Sequence, residues 1–124
     1  MLDAHVMQPT VYSMTRTAHG PTVFVSGQTP ALPDGTVPDG FEVQVRVVVN
    51  KLTATLAEQA VGWAAVVKLT CYLTDLADLA TLQEVLLELL PEPKPAATVV
   101  VVAGLADSRF RVEIDAVADL GAMG

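Results

Sequence analysis

What most restricts this chain is its punctuation. Residues that break regular backbone cluster at Pro9-Thr10, His19-Gly20-Pro21, 30–38, Gly62, 91–95 and 104–108. Proline fixes φ and removes a donor, and glycine frees φ, so each cluster marks a turn or loop. Every helix or strand must fit between two of them. The longest purely apolar runs, such as 99–103, are far shorter than the ~20 residues a membrane span needs. No internal repeat, low-complexity tract or linker is evident, so the 124 residues read as one domain, 1–124.

The pieces between the turns carry two periods. Thr22-Val23-Phe24-Val25-Ser26-Gly27 is β-branched and aromatic and reads as a strand ended by Gly27. A weaker strand over 11–17 precedes it, and the His19-Gly20-Pro21 turn is expected to join the two as a hairpin. The stretch 41–60 is rich in valine. Yet Phe41, Val45, Val48, Leu52 and Leu56 recur at helical spacing, with Glu42, Gln44, Arg46, Asn50 and Lys51 off that stripe and Gly62 after its end. A helix that buries one face is the reading. Val66–Leu73 is a third strand. Thr74-Asp75 offers a helix cap, and Leu76, Leu79, Leu82, Leu86 and Leu89-Leu90 form the stripe of a second helix that Pro91 stops. Two last strands, 98–105 and 110–117, are joined by Ala106-Asp107-Ser108. In the last, Val112, Ile114 and Ala116 alternate with Arg111, Glu113 and Asp115. The order ββαβαββ predicts an α+β layer fold, one mixed sheet with both helices on one face.

Charge and composition exclude several function classes. Hydrophobic residues are 52% of the chain and charged residues 17%, which opposes disorder. A net charge of −7 and 5% aromatic content oppose nucleic-acid binding, which needs a basic footprint and stacking rings. No cluster of His, Cys, Asp and Glu has metal-ligand spacing. His5 and His19 stand alone, and no phosphate-cradling glycine loop or Gly-x-Ser-x-Gly turn is present. The start of the chain lacks the basic and apolar regions of a secretory signal, and the single Cys71 cannot form an internal disulfide, so a cytoplasmic protein is expected. Cys71 lies in an apolar run and reads as a buried thiol rather than a nucleophile. The apolar fraction is high for so small a domain, which points to an oligomer.

Five segments, taken together, resemble one family. They are Tyr12-Ser13; Val23-Phe24-Val25-Ser26-Gly27-Gln28-Thr29-Pro30; Val67-Lys68-Leu69-Thr70-Cys71-Tyr72-Leu73-Thr74-Asp75-Leu76; Pro93-Lys94-Pro95-Ala96; and Arg111-Val112-Glu113-Ile114-Asp115-Ala116-Val117-Ala118. In order and spacing they look like the RidA/YjgF reactive intermediate deaminases, over nearly the whole chain. The resemblance implies a chorismate-mutase-like fold, a homotrimer with small-molecule clefts between subunits, and hydrolysis of reactive enamines and imines with no metal or organic cofactor.

The chain departs from that pattern where the chemistry sits. In deaminating members an arginine follows the Pro-Ala pair and clamps the substrate carboxylate, a task suited to a planar fork of donors. Here the position is Ala97. Arg16, Arg109 and Arg111 are the candidates to replace it. Two residues on, where many members carry a cysteine, stands Val99, and the second helix offers Gln83 and Leu86 at cleft positions. These changes describe a cleft for a neutral or hydrophobic ligand. By the same resemblance Asp115 takes the place of the water-activating glutamate, one methylene shorter. It serves as general base or else as a rim carboxylate paired with Arg111. Glu113 shares its face and could form a carboxylate pair with it. Tyr12 matches a tyrosine at the cleft mouth, and Ser26-Gly27-Gln28 a turn on the cleft floor, where Gly27 serves either the bend or close ligand approach. Trp63 reads as a core or interface anchor. Three functions follow: a divergent enzyme acting on a neutral imine, enamine or enol-like molecule, a non-catalytic binding trimer, or a 2-imino acid deaminase with a replacement cation. Charge opposes a ribonuclease.

Overall fold

A computed structural model of the chain describes residues 12–121. In chain order they form strand β1 (Thr22–Gln28), helix α1 (Phe41–Glu58), strand β2 (Val66–Leu73), helix α2 (Leu79–Leu89), strand β3 (Ala96–Val101) and strand β4 (Val112–Asp119), with single 3₁₀ turns at Trp63–Ala65 and Leu76–Asp78. The sheet order is β1-β4-β2-β3. β4 runs antiparallel to both β1 and β2, while β3 runs parallel to β2, as the crossover through α2 permits. The α+β class, the mixed sheet and the two helices are those the sequence predicts.

The core lies between sheet and helices. Val25, Leu69, Cys71, Leu73, Val112, Ile114, Ala116 and Ala118 of the sheet pack with Val45, Val48, Leu52 and Leu56 of α1 and Leu82, Val85 and Leu86 of α2. Period-two alternation in β2 and β4 puts Lys68, Thr70, Tyr72, Glu113, Asp115 and Val117 on the opposite, half-exposed face. Phe24 joins them there, 78% exposed.

All five residues of the expected α1 stripe are buried, and so is Gln44, at 1% exposure, which its polarity placed outside. Its amide donates to the carbonyls of Pro38 (2.7 Å) and Arg109 (2.9 Å), and its carbonyl accepts the Arg111 N–H (2.8 Å). A buried amide is tolerated because all its strong partners are present. Half-buried Lys51 similarly donates to the carbonyls of Thr29 and Ala31. One helix thus pins the 29–39 loop on one side and the entry to β4 on the other. The helix ends at Glu58, and two residues on Ala60 holds φ 61° while Val61 N–H returns to Leu56 O and Ala60 N–H to Ala57 O. This is a Schellman closure with alanine in the left-handed position.

The expected leading hairpin does not form. Val11 lies outside the described residues. Over 12–20 the ladder contact is one parallel bridge, Ser13 to Ala96, at the start of β3 rather than beside β1. The segment's polar groups go elsewhere. Asp119 accepts the N–H groups of His19 and Gly20, and the Arg16 guanidinium donates to the carbonyls of Ala64, Val66, Pro93 and Lys94. Side-chain tethers replace the sheet pairing that β-branched composition suggested. The last strand is shifted by two residues from expectation, to Val112–Asp119, while the strand expected over 98–105 runs over Ala96–Val101 and stops four residues early.

Candidate functional site

A groove of about 480 Å³ opens where the 12–14 segment, β2, β3 and α2 meet. That volume lies within the range of small-molecule sites. Five of the residues singled out from sequence line it together: Tyr12, Gln83, Leu86, Ala97 and Val99. Leu69, Cys71, Leu79 and Leu82 complete an apolar wall. The parallel register pairs Leu69 with Ala97 and Cys71 with Val99, so both β3 residues share the helix-facing side, and the Ala97 methyl packs on the core. Cys71 is fully buried, and burial first, then the charge of Asp115, pushes its thiol up to about 12. At neutral pH it is a protonated wall atom and not a nucleophile.

The three arginines proposed as replacements are committed elsewhere. Arg16 is spent on four carbonyls. Arg109 grips Asp107 through two nitrogens (3.0 and 2.8 Å), which holds that carboxyl at about 2. Arg111 donates to both oxygens of Asp78 (2.8 and 3.0 Å) and stacks over Phe41, 5.4 Å from the ring centroid. Among the described residues that line the groove the one cation is Lys68, whose Nζ donates to Thr70 Oγ1 at 3.2 Å. Sequence reasoning passed over it. Strand parity gave no signal for it, since it groups Lys68 with Thr70 and Tyr72, opposite to the groove residues Leu69 and Cys71.

The remaining candidates sit on the other face of the sheet. Asp115 registers with Thr70, and Glu113 with Tyr72. Asp115 does not pair with Arg111. Its Oδ2 accepts a hydrogen bond from the Tyr72 hydroxyl at 2.9 Å. Glu113 reaches across to β1. There Ser26-Gly27-Gln28 is not a turn but the end of a strand with a bulge, since Val25 faces Ala116 and Gln28 faces Ile114. A Cβ added at Gly27 would run into the Glu113 carboxylate and lie 3.0 Å from its Cδ. The glycine therefore makes room for a side chain of its own sheet. Gln28 folds back and donates to Ser26 O. The chain thus holds two separate sets, Tyr12, Gln83, Leu86, Ala97 and Val99 at the groove, and Ser26, Gly27, Glu113 and Asp115 toward the open face, with Gln28 beyond the bulge in register with the core residue Ile114.

Other candidates resolve simply. His19 is exposed and contributes its backbone N–H to Asp119, and His5 lies outside the described residues. Trp63 is half-buried against the core and donates to Thr53 Oγ1. Among the described residues no group of three or more His, Cys, Asp or Glu could hold a metal ion, and no helix is long and apolar enough to cross a membrane.

Residues 5–120 match the family model described as Endoribonuclease L-PSP. The mitochondrial protein mmf2 of Schizosaccharomyces pombe is 34% identical over 102 residues, 80% of each chain. The crystal structure of RidA from the Antarctic bacterium Psychrobacter sp. is similar at TM-score 0.76 and 35% identity, with 87% of each chain covered. That of Escherichia coli TdcF with bound serine is similar at TM-score 0.74 and 26% identity, covering 90% of this chain and 98% of that one.

Proposed function

Because the chain belongs to the RidA/YjgF family of reactive intermediate deaminases, we propose that it hydrolyses a neutral or hydrophobic imine or enamine, with Asp115 as acid and base. The observation that carries this reading is the fate of the arginines. Ala97 offers no donor to an anion, and Arg16, Arg109 and Arg111 are each bound to other groups while the groove wall is apolar. A carboxylate buried against such a wall without a partner is strongly disfavoured. A neutral C=N is not.

The chemistry asks little of the protein. Asp115 takes a proton from water as the oxygen adds to the imine carbon, and the nitrogen gains a proton. The carbinolamine then collapses: Asp115 returns its proton to the amino nitrogen, the C–N bond breaks with its electron pair on the departing ammonia, and the hydroxyl proton passes to the freed carboxylate to give the carbonyl. The net change is imine plus water to carbonyl plus ammonia, with no redox partner or organic cofactor. Tyr12 walls the mouth of the groove, and Gln83 supplies a polar end to its lining.

Assembly belongs to the same reading. Three copies would bring the groove of one protomer against the Asp115 face of the next and join the two sets. The 78% exposed Phe24 on that face supports burial against a neighbour. Light scattering should return three times the 13.0 kDa chain mass; a monomer refutes the shared cleft. We place the protein in the cytoplasm, as the lone buried Cys71 suits a reducing compartment.

The test compares imines released by a flavin-dependent amine oxidase with 2-imino acids released by an amino-acid oxidase. Ammonia appearing above the spontaneous rate only from the neutral imines supports the reading, and loss of that turnover in Asp115→Asn assigns the base. Lys68 on the groove supports a second reading, a 2-imino acid deaminase in which an ammonium takes the carboxylate. Turnover of 2-imino acids that disappears in Lys68→Met would establish it. A ligand that raises the melting temperature and is recovered unchanged from every assay points to a binding protein without catalysis.

A further inference from the structure

The four carbonyls that hold Arg16 away from the groove do not neutralise it. Arg46, Arg109 and Arg111 each meet a carboxylate within 3.1 Å. Arg16 meets none among the described residues. Its acceptors, the carbonyls of Ala64, Val66, Pro93 and Lys94, lie at 3.1–3.3 Å and carry no net charge. Nor do they take every donor. Nη1 serves Val66, Pro93 and Lys94, Nη2 serves Ala64 alone, and Nε–H has no acceptor among the described residues. Nε and Nη2 share the edge of the guanidinium that meets an oxyanion through two parallel bonds.

Half-buried Arg16 also lines a cavity of about 680 Å³ whose wall shares no residue with the groove. Gly62 belongs to that wall, and a Cβ added there would meet nothing within 4 Å, so this side stands open. Exposed His19 adds an imidazole that can donate. Asp119 lies in the wall as well, but it is fully buried. It accepts the N–H groups of His19, Gly20 and Gly121 and makes no ion pair with Arg16.

We infer that this cavity is a second binding site, separate from the groove, for a small oxyanion (a carboxylate or a phosphate) gripped by Arg16. Neither the base nor the substrate of the groove enters into it. An arginine that grips a ligand ordinarily loses rotamer freedom as it does so. Here the carbonyls have already removed that freedom, so the fork is set before the anion arrives. The net charge of −7 repels anions at long range, so binding draws on contacts inside the cavity and favours a small ligand. Two charge-assisted bonds correspond to a dissociation constant of about 1 mM. The anion finds Arg16 in this setting only while 12–16 is docked on the stretches around Ala64 and Lys94. It therefore holds in place the segment that carries Tyr12 of the groove.

The experiment uses the whole chain labelled with nitrogen-15. Sodium acetate and, separately, inorganic phosphate are titrated against sodium chloride at equal ionic strength. The Arg16 Nε–H resonance is identified by its loss in Arg16→Lys. It should shift and half-saturate at about 1 mM, while the resonances of Arg46, Arg109 and Arg111 stay in place. A response to acetate alone assigns a carboxylate, one to phosphate alone a phosphate, and one to both the chemistry they share. Hydrogen exchange at Ser13 should slow about elevenfold at roughly ten times the dissociation constant, because the opened segment cannot hold the ligand. An Arg16 resonance that neither anion moves, or that chloride moves equally, overturns the site. So does exchange at Ser13 that saturating acetate and phosphate both leave unchanged. A slowing that survives in Arg16→Lys and vanishes in Lys68→Met puts the anion in the groove instead, which overturns it too.

Discussion

Replacing Gln44 by methionine keeps the length and apolar stem of the side chain and removes three hydrogen bonds at once. Those bonds, at 2.7, 2.9 and 2.8 Å, satisfy Pro38 O, Arg109 O and Arg111 N–H beneath a residue 1% exposed. Each is worth about 1 kcal/mol net, and each backbone group left bare costs about 1–3 kcal/mol until water reaches it. The expected loss is ~3 kcal/mol, a large part of the roughly 5–15 kcal/mol that holds a domain of this size together. At about 4 °C per kcal/mol the midpoint should drop by roughly 12 °C. Urea unfolding followed by Trp63 fluorescence, at one fixed protein concentration because an oligomer's stability depends on it, gives the number directly. Gln44 also ties the start of β4 to α1 two residues before Glu113, so catalytic rates should fall with stability. A loss under about 1 kcal/mol with an unchanged denaturant slope would show that the three groups find water freely and that the amide is not a clamp.

Four further outcomes are expected. Ala60→Gly relieves the left-handed alanine at the end of α1 and should raise stability by about 1 kcal/mol in the same assay. Gly27→Ala should displace the Glu113 carboxylate, and a double-mutant cycle with Glu113→Ala should return a coupling of about 1 kcal/mol. The Asp119 carboxyl is held below its usual 3.8 by the N–H of His19 first, with those of Gly121 and Gly20 assisting. Its stabilisation is therefore complete above the unfolded value and lost as pH falls through the folded one, so melting temperature should decline on the acid side and Asp119→Asn should flatten that decline. Cys71, with its thiol near 12, should resist a thiol-specific disulfide reagent at neutral pH and react in full after denaturation.

Much of the fold was legible because two periods survive translation into structure. The α1 stripe and the alternation in β4 name their buried residues directly. What was not legible depends on partners far away in sequence. Gln44 is polar and reads as surface, and only the convergence of Pro38, Arg109 and Arg111 around it makes burial tolerable. Residues 12–17 look like a strand because composition reports half-burial, but it cannot report that Asp119 and a set of carbonyls will claim the local donors. At the site, the family pattern placed Tyr12 and Ala97 in one groove, while the tethers of Arg111 to Asp78 and Tyr72 to Asp115 are tertiary facts. Tyr72 was within reach: on β2 it falls in the parity that faces Asp115.

The Arg16 anchorage orders events in time. Its acceptors lie in two stretches, around Ala64 and Val66 and around Pro93 and Lys94, that are distant in sequence from each other and from it. Ser13 likewise bonds Lys94 O and Pro95 O. Until those stretches have come together the acceptors of Arg16 and Ser13 are not assembled, so the 12–16 segment should dock late during folding and detach early. Hydrogen exchange at Ser13 should therefore outpace exchange in β2 and β4. The groove should therefore be complete only once the segment that carries Tyr12 has docked.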